Sequence, residues 1–530
     1  MNLRIRDGRD WAFINGAWSE DAWGCISPPD TPDHHALAFY LPQAFADATV
    51  EFEFLASYRE TGAGDVGVIL RAQAANHYYW VSFPWCGQQT RARHFWAAIS
   101  RVDESGYIRN LKLALIPGVL SETERWYRAR VECVGGAIRL WVDDRPGPVV
   151  TDLAAAPGRI GFAGYGGFAL RNLRVSGDAA PAPAWDETAP AGRGNWFHPA
   201  PGIGGEQTLP SLCRAPRGDL LLAIPATRAE RTFIVRSRDN GHSWGEPVEL
   251  PAALHWGVVH ATKSGRLLLQ AVHAEPRRIL MAESHDDGRT WSEPTAAKLS
   301  GDWPADPPQL HAYGALLELP DGALVRLLTG RLARAADREV MQWGAMEAQA
   351  FAIRSTDGGA TWSAPANLDR FVWRGQAGAA ESCLDLSEPV GAVLDDGRII
   401  CYIRPIYSPW MWETHSDDGG QTWSSARRAP FPGYAACMTR TKSGAALVAH
   451  RFPGHTIHLS HDGGRTWDEG TTVDFPVWAM GALLEVEPEV VLFVYMDAKP
   501  ERLRAQRIRV TAQGLEPLPV EGQAAPDRTY

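Results

Sequence analysis

"SHDGGRTW", Ser460 to Trp467, is one of five related octapeptides: "SRDNGHSW" starts at Ser237, "SHDDGRTW" at Ser284, "STDGGATW" at Ser355 and "SDDGGQTW" at Ser416. The shared pattern is Ser-x-Asp-x-Gly-x-Ser/Thr-Trp. Its aspartate can accept hydrogen bonds from its own turn's backbone and its glycine supplies a positive φ, so each copy reads as a hairpin turn. The tryptophan needs a large partner, and in a repeat architecture the neighbouring unit provides one. Asp239, Asp286, Asp357, Asp418 and Asp462 therefore fold the chain rather than do chemistry.

Each repeat carries a second mark upstream, a glycine turn, as in "RAPRGDLLLA", "ATKSGRLLLQ" and "VLDDGRIICY". From Gly218, Gly265 and Gly397 the next box serine lies nineteen positions on; from Gly444 the interval is sixteen and from Gly322 thirty-three. A sixth unit, "GALLEVEPEVVLFVYMD", keeps two apolar strands and loses the box. Six four-stranded units closing in a ring predict a six-bladed β-propeller over residues 194–530, its last unit degenerate or completed by the other terminus.

Before it, residues 178–193, "DAAPAPAWDETAPAGR", read as a linker. Residues 1–177 hold short alternating runs such as "ATVEFEFLASY", "YYWVSF" and "WYRARVECV", the pattern of an antiparallel sandwich. The expected class is all-β, a jelly-roll sandwich followed by the propeller.

The formal charge of −10 over 530 residues contains no basic block, which argues against nucleic-acid or membrane-surface partners. Seven scattered cysteines without CxxC spacing read as reduced core residues. "MNLRIRDGRDWAFINGAW" lacks the apolar run of a signal peptide, so a soluble, cytoplasmic protein is expected. The sequence carries no sign of an oligomeric state.

In an up-and-down blade the glycine turn and the box share one face, so function belongs on the other. The long insertions Ser292–Leu310, Leu327–Gln349 and Ser363–Leu386 fall there. Register places Thr208, His255, His311 with Ala312, Glu388, Tyr434, and Met480 with Trp478 at the starts of the first strands. Pro225, Val272, Thr329, Arg404 and Arg451 stand at the ends of the second strands. Two arginines in equivalent positions beside a carboxylate fit a substrate site better than a structural funnel. His255, His311 and His450 stand on separate units without metal-ligand spacing, so no metal or cofactor is expected.

Over Gly194 to about Asp497 the chain resembles the sialidase superfamily, the Asp-box (BNR-repeat) six-bladed propellers. "SEPVGAVLDDGRIICYIR" is similar to the family segment carrying the catalytic glutamate and an arginine of the carboxylate-binding triad, which implies Glu388 as general base and Arg404 as triad arginine. "HRFPGHTIHLSHDGGRTW" implies Arg451 as another. Bidentate pairing of arginine with a substrate carboxylate is the physical reason for such a cluster. Residues 1–176 resemble concanavalin A-like sandwiches, on "VILRAQAANHYYWVSF", "WYRARVECVGGAIRLWVDD" and "GRIGFAGYGGFALRNLRVSG". There Trp80, Trp85 and Trp96 are either core residues or platforms for sugar rings.

The departures from that pattern matter equally. Thr208 in "QTLP" stands where the family's first arginine belongs, Met480 where its nucleophilic tyrosine belongs, and Glu230 is the nearest carboxylate to the absent acid/base aspartate. An orthodox retaining sialidase mechanism is not expected. Glycoside hydrolysis still needs an acid and a base. Glu388 is the first candidate, with Asp385, Glu381, Glu206, Asp302 and Asp306 open for the second group and Tyr434 as nucleophile or sugar-stacking wall. Thr208, His255, His311, Arg404, Arg451 and Trp478 would bind substrate, with Trp410 as the alternative cover for the sugar face. The expected activity is an exo-acting glycoside hydrolase removing a terminal sugar, an acidic one if the arginines bind it, from a glycan or oligosaccharide. A carbohydrate-binding propeller without catalysis and a lyase acting on uronic acids are the alternatives.

Overall fold

The computed structural model describes the chain except residues 6–8, 17, 28–34, 58–62, 87–92, 123, 152, 187–195, 201–202, 204–209, 227–230, 274–277, 302, 304–309, 313, 331–348, 369–385, 406–409, 476–480, 497–502 and 520–530. The described residues are almost entirely β, with one short 3-10 turn, Ala252–Leu254. Strand pairing is antiparallel apart from one parallel pair, Lys298–Leu299 with Thr361–Trp362.

The C-terminal part is a β-propeller. Five antiparallel sheets follow one another along the chain and serve as blades. Their inner strands are Ser211–Arg214, Val258–Ala261, Leu310–Ala312, Leu386–Val393 and Cys437–Arg440. A further sheet contains Gly481–Glu487, Val490–Met496, Leu503–Thr511 and Gly514–Pro517, and Trp196–Phe197 from the start of this region adds to its third strand. Successive sheets adjoin in order through their first and second strands, and Gly481–Glu487 adjoins Ser211–Arg214, so the arrangement closes on itself.

The octapeptides fold as their composition predicts. In all five the serine hydroxyl donates to the aspartate Oδ1 at 2.8 Å. That serine oxygen also accepts the N–H of the box glycine at 2.8–2.9 Å. Those glycines have φ between 78° and 98°, where a Cβ would be strained. The aspartate also accepts the Ser/Thr N–H at 2.8–2.9 Å. These bonds favour the ionised carboxylate and hold Asp462 down at about 2 despite partial desolvation.

The tryptophans close the seams between blades. Trp244 packs with the core joining the last sheet to the first blade, and Trp291 with that of the first and second blades. Trp362 lies in the core of the second and third, Trp423 beside that of the third and fourth, and Trp467 beside that of the fourth and fifth. Trp362 is fully buried. Burying such a side chain is worth about 4–6 kcal/mol of transfer free energy. The seam between the fifth blade and the last sheet has no box, and there Tyr107 of the N-terminal region enters the core.

That N-terminal region is two antiparallel sheets packed over a shared apolar core. Strand Gly167–Ala180 runs into the linker, where Trp185 packs on Phe39 and Arg159 donates to the Pro183 carbonyl at 2.6 Å. One sheet continues into the propeller. Strand Ile108–Leu120 pairs with Thr471–Asp474, the outer strand of the fifth blade, in the register Ile108↔Thr472 and Arg109↔Thr471. The Asn110 N–H donates to the Gly470 carbonyl at 3.0 Å, Arg109 reaches the Leu515 carbonyl at 3.0 Å, and Lys112 pairs with Glu469. The sandwich is therefore joined to the propeller by backbone bonds as well as side chains.

Candidate functional site

In the fourth blade the pairs Val393↔Ile399 and Ile399↔Ser416 lie at one end, with Gly397 and the box. Ser387↔Arg404 lies at the other, so Glu388 and Arg404 sit opposite the box. Between Ser387↔Arg404 and Val390↔Tyr402 the register shifts: Glu388 and Pro389 form a bulge. Glu388 has φ +52°, a region costly for a side-chain-bearing residue. A bulge with a left-handed residue re-aims its side chain out of the strand's alternation.

The kink is not peculiar to this blade. Trp256 (φ 62°) and Ala435 (φ 50°) stand nine positions before Gly265 and Gly444, as Glu388 stands before Gly397. The backbone device belongs to the scaffold, and only the fourth of these three blades loads it with a carboxylate. The Glu388 N–H donates to Thr329 Oγ1 on the third blade at 2.5 Å, while Arg404 Nη1 donates to Glu388 Oε1. Glu388 and Arg404 are each 5% exposed. Oε2 of Glu388 is buried and makes no hydrogen bond among the described residues.

Two more of the expected residues join them. The Arg404 guanidinium lies 6.0 Å from the centre of the Tyr434 ring, and the Arg451 N–H donates to the Tyr434 carbonyl at 3.1 Å. Tyr434 is 1% exposed and belongs to a cluster with Phe452 and with Trp96, Ala98 and Leu113 of the sandwich. Trp96 stands edge-on to Trp410 at 5.4 Å and 5.5 Å from Phe452. The structure thus brings together Glu388, Arg404, Tyr434 and Arg451, backed by a sandwich tryptophan. No local sequence signal announces that backing, because residue 96 meets residues 410–452 only in the folded chain.

His255 caps the 3-10 turn Ala252–Leu254 on the second blade, edge-on to Trp256 at 5.4 Å, two blades from Glu388. The His311 backbone pairs with Thr329, which in turn holds the Glu388 amide; its side chain lies outside the described residues. Thr208, Asp385, Trp478, Met480, Glu206, Glu230, Glu381, Asp302 and Asp306 also lie outside them. His450 is buried in a stack with His458 at 5.0 Å and Phe431 at 6.0 Å. Burial and the neighbouring histidines push its imidazole well below the ordinary range.

For the sandwich tryptophans the structure decides between the two readings in favour of packing. Trp80, Trp85 and Trp96 are all buried and offer no face to a sugar. Trp80 packs edge-on against His35 at 4.8 Å, Trp85 fills the space above Gly64, and Trp96 is committed to the domain junction. Of the three, only Trp85 belongs to the core between the two sheets; Trp80 lies in a cluster with Phe475, and Trp96 in one with Tyr434 and Phe452, both closed by the propeller.

Comparison with known proteins places the repeat class first: a family described as a BNR repeat-like domain matches residues 283–475. No curated protein matches the chain. Among solved structures, a protein of unknown function from Dyadobacter fermentans is 14% identical, covering 61% of this chain and 98% of its own, with a TM-score of 0.47. A leech intramolecular trans-sialidase complexed with 2,7-anhydro-Neu5Ac is 12% identical, covering 88% and 94%, TM-score 0.44. A Penicillium chrysogenum alpha-L-arabinanase complexed with arabinobiose is 14% identical, covering 63% and 98%, TM-score 0.43.

Proposed function

We propose that this chain is a glycoside hydrolase working from the mouth of a six-bladed propeller, the sheet Gly481–Pro517 with Trp196–Phe197 being the sixth blade, beside a jelly-roll sandwich. Glu388 is the general base and Arg404 its positioning partner. The observation that carries the reading is the state of Glu388: a buried carboxylate at φ +52°, one oxygen held by Arg404 and the other without a partner among the described residues. Burying an ion pair generally returns less stability than an apolar pair of the same size. Left-handed residues in strands are a recurrent feature of working sites. An oxygen left open on a fixed carboxylate is what activation of a water or a nucleophile requires.

Tyr434 supports Arg404 from below in this reading, because a ring 1% exposed and packed on Trp96 is a wall of the junction. The pairing of Arg404 with Glu388 changes what Arg404 does. Its removal would leave a buried carboxylate unpaired, so an Arg404→Ala loss extends to neutral substrates as well as acidic ones. An acidic terminal sugar would then meet Arg451, at the end of strand Ala446–Arg451.

The test is a glycan panel read for new reducing ends and for unsaturated products, run with wild type and Glu388→Gln. Turnover in the variant should fall by about 10²–10⁴ with folding unchanged, since only the charge of the base is removed. Full activity in Glu388→Gln would overturn the assignment. Tight binding without bond cleavage in both would favour the binding propeller, and unsaturated products the lyase.

A further inference from the structure

Trp23 is 91% exposed, and no other tryptophan is exposed among the described residues. Its exposure is built rather than accidental. Asp21 Oδ1 accepts the N–H groups of Trp23 and Cys25, both at 2.8 Å, and the Asp21 carbonyl accepts Gly24 N–H at 3.1 Å. This closes a tight turn with Gly24 at φ +76° and Trp23 at its tip. Leaving an indole in water forgoes a large burial term, and it is the polar, charged cavity beside this displayed ring that points to a contact outside the fold.

Beside the indole is a cavity of about 110 Å³ lined by Trp23, Arg4, Glu20, Asn2, Asn172 and Arg174, with Gly24 at its rim. Glu20 fixes Arg4: Oε1 accepts from Arg4 Nη1 at 2.8 Å and Oε2 from Ile5 N–H at 3.0 Å. A Cβ on residue 24 would meet Arg4 Nη1 at 3.3 Å, so the glycine keeps room for that guanidinium. Asn172 (φ 57°) sits in a bulge of strand Gly167–Ala180, where the register with strand Ala44–Ser57 shifts between Arg171 and Arg174. Arg174 is exposed, with Glu51 as its cross-strand neighbour, and its side chain makes no hydrogen bond among the described residues.

We propose that this corner of the sandwich is a binding site for a carboxylated saccharide, separate from the propeller mouth. The indole supplies a flat apolar face for a pyranose ring, as aromatic platforms do. Arg174 and the outer edge of Arg4 supply donors to the carboxylate and the Asn2 amide suits a hydroxyl, while Asn172, whose Nδ2 donates to Glu53 Oε1 at 3.0 Å, offers its carbonyl oxygen. Glu20 is spent on Arg4 and Ile5, and Glu53 on Arg171 and Asn172, which leaves Arg174 to select an anionic ligand over a neutral one. The strands that carry the site, Ser19–Glu20, Ile26–Ser27 and Gly167–Ala180, lie in the sheet that does not pair with the propeller. The site therefore faces solvent while the other sheet is docked.

The experiment labels the full chain with 5-fluorotryptophan and assigns the Trp23 resonance as the fluorine signal lost in Trp23→Ala. Trigalacturonate is the carboxylated probe and maltotriose the neutral one. The Trp23 resonance should shift on titration with trigalacturonate and respond about tenfold more weakly to maltotriose, with Arg174→Ala weakening the trigalacturonate response about threefold to tenfold. Trp23→Ala should leave the melting temperature and any mouth activity unchanged. A Trp23 signal indifferent to trigalacturonate would overturn the proposal, as would equal responses to both probes or an unaltered response in Arg174→Ala. Because the readout is one resonance on the sandwich, its result stands apart from whatever Glu388→Gln does.

Discussion

Five seams of this propeller are closed in one way and the seam between the fifth blade and the last sheet in another. Where a box is present its tryptophan fills or flanks an apolar core between blades. Between the fifth blade and the last sheet an apolar core is crossed by a polar network that is partly borrowed. Tyr107 of the sandwich donates to Gln506 Oε1 at 2.9 Å, and Gln506 Nε2 donates to the Tyr495 hydroxyl at 2.6 Å. Tyr495 donates to Asp474 Oδ2 at 2.6 Å, which also accepts from Arg504 Nη1 at 3.0 Å. His455 lies 4.4 Å from the Tyr495 ring. An apolar seam is stabilised mainly by area. A network depends on every member being satisfied, and that makes it conditional.

Removing the plug from an apolar seam should have the largest effect. Trp362→Ala should cost about 3–5 kcal/mol in urea unfolding, the usual range for a large buried aromatic. The cost should be the same at pH 5 and pH 7.5. A loss under 1 kcal/mol would mean that the seam collapses around the gap and that box tryptophans are not what closes it.

Acid should act on the other kind of seam. Burial is the main reason the His455 imidazole is pushed down to about 4; Arg504 and Arg451 lower it further, while Asp474 and a backbone bond at Met496 oppose them. The folded pKa lies below the unfolded value of about 6.5, so the unfolded chain binds more protons below that pH. Stability should fall as pH drops from about 6.5 towards 4, by roughly 3 kcal/mol for this group alone. His450, depressed in the same direction, adds to the loss from the neighbouring seam, where it stacks on Phe431. Melting temperature followed across that window should decline in wild type and flatten in His455→Phe; a parallel decline in both would move the acid sensitivity elsewhere.

The smallest effect sharpens the comparison most. Tyr107→Phe keeps the ring in the seam and deletes one buried hydrogen bond, leaving Gln506 without that donor. A cost of about 1–2 kcal/mol is expected in urea unfolding. If the variant equals wild type, Tyr107 is a spacer like the box tryptophans and the two kinds of seam are one.

The repeats were legible because each box is a local object: eight residues contain its donors, its acceptors and its glycine, so spacing alone places the blades and sets Glu388 opposite the boxes. Register also put Thr329, Arg404 and Arg451 at the ends of their strands. The bulge at Glu388 was not legible, since nothing in "LSEPV" distinguishes a kinked strand from a straight one. Nor was the salt bridge that ties Arg404 to Glu388. The tryptophans stayed ambiguous for a related reason. Trp80, Trp85 and Trp96 stand in strand-like segments, and whether such a ring faces core or water depends on a partner sheet distant in sequence. Trp23, in "EDAWGC", carried the better signal, an Asp-x-x-Gly turn with the aromatic at its tip.

The pairing of Ile108 with Thr472 also sets a timetable. Strand Ile108–Leu120 emerges early in synthesis, and the strand that covers its free edge is made some 360 residues later. At translation rates of about 5–20 residues per second that edge waits roughly 20–70 seconds for its neighbour. Throughout that interval the nascent sandwich presents unpaired N–H and C=O groups of the kind that recruit other chains. Protection of the half-made protein then falls to whatever holds that edge in the meantime, and the fifth blade completes the first domain as much as it does the second.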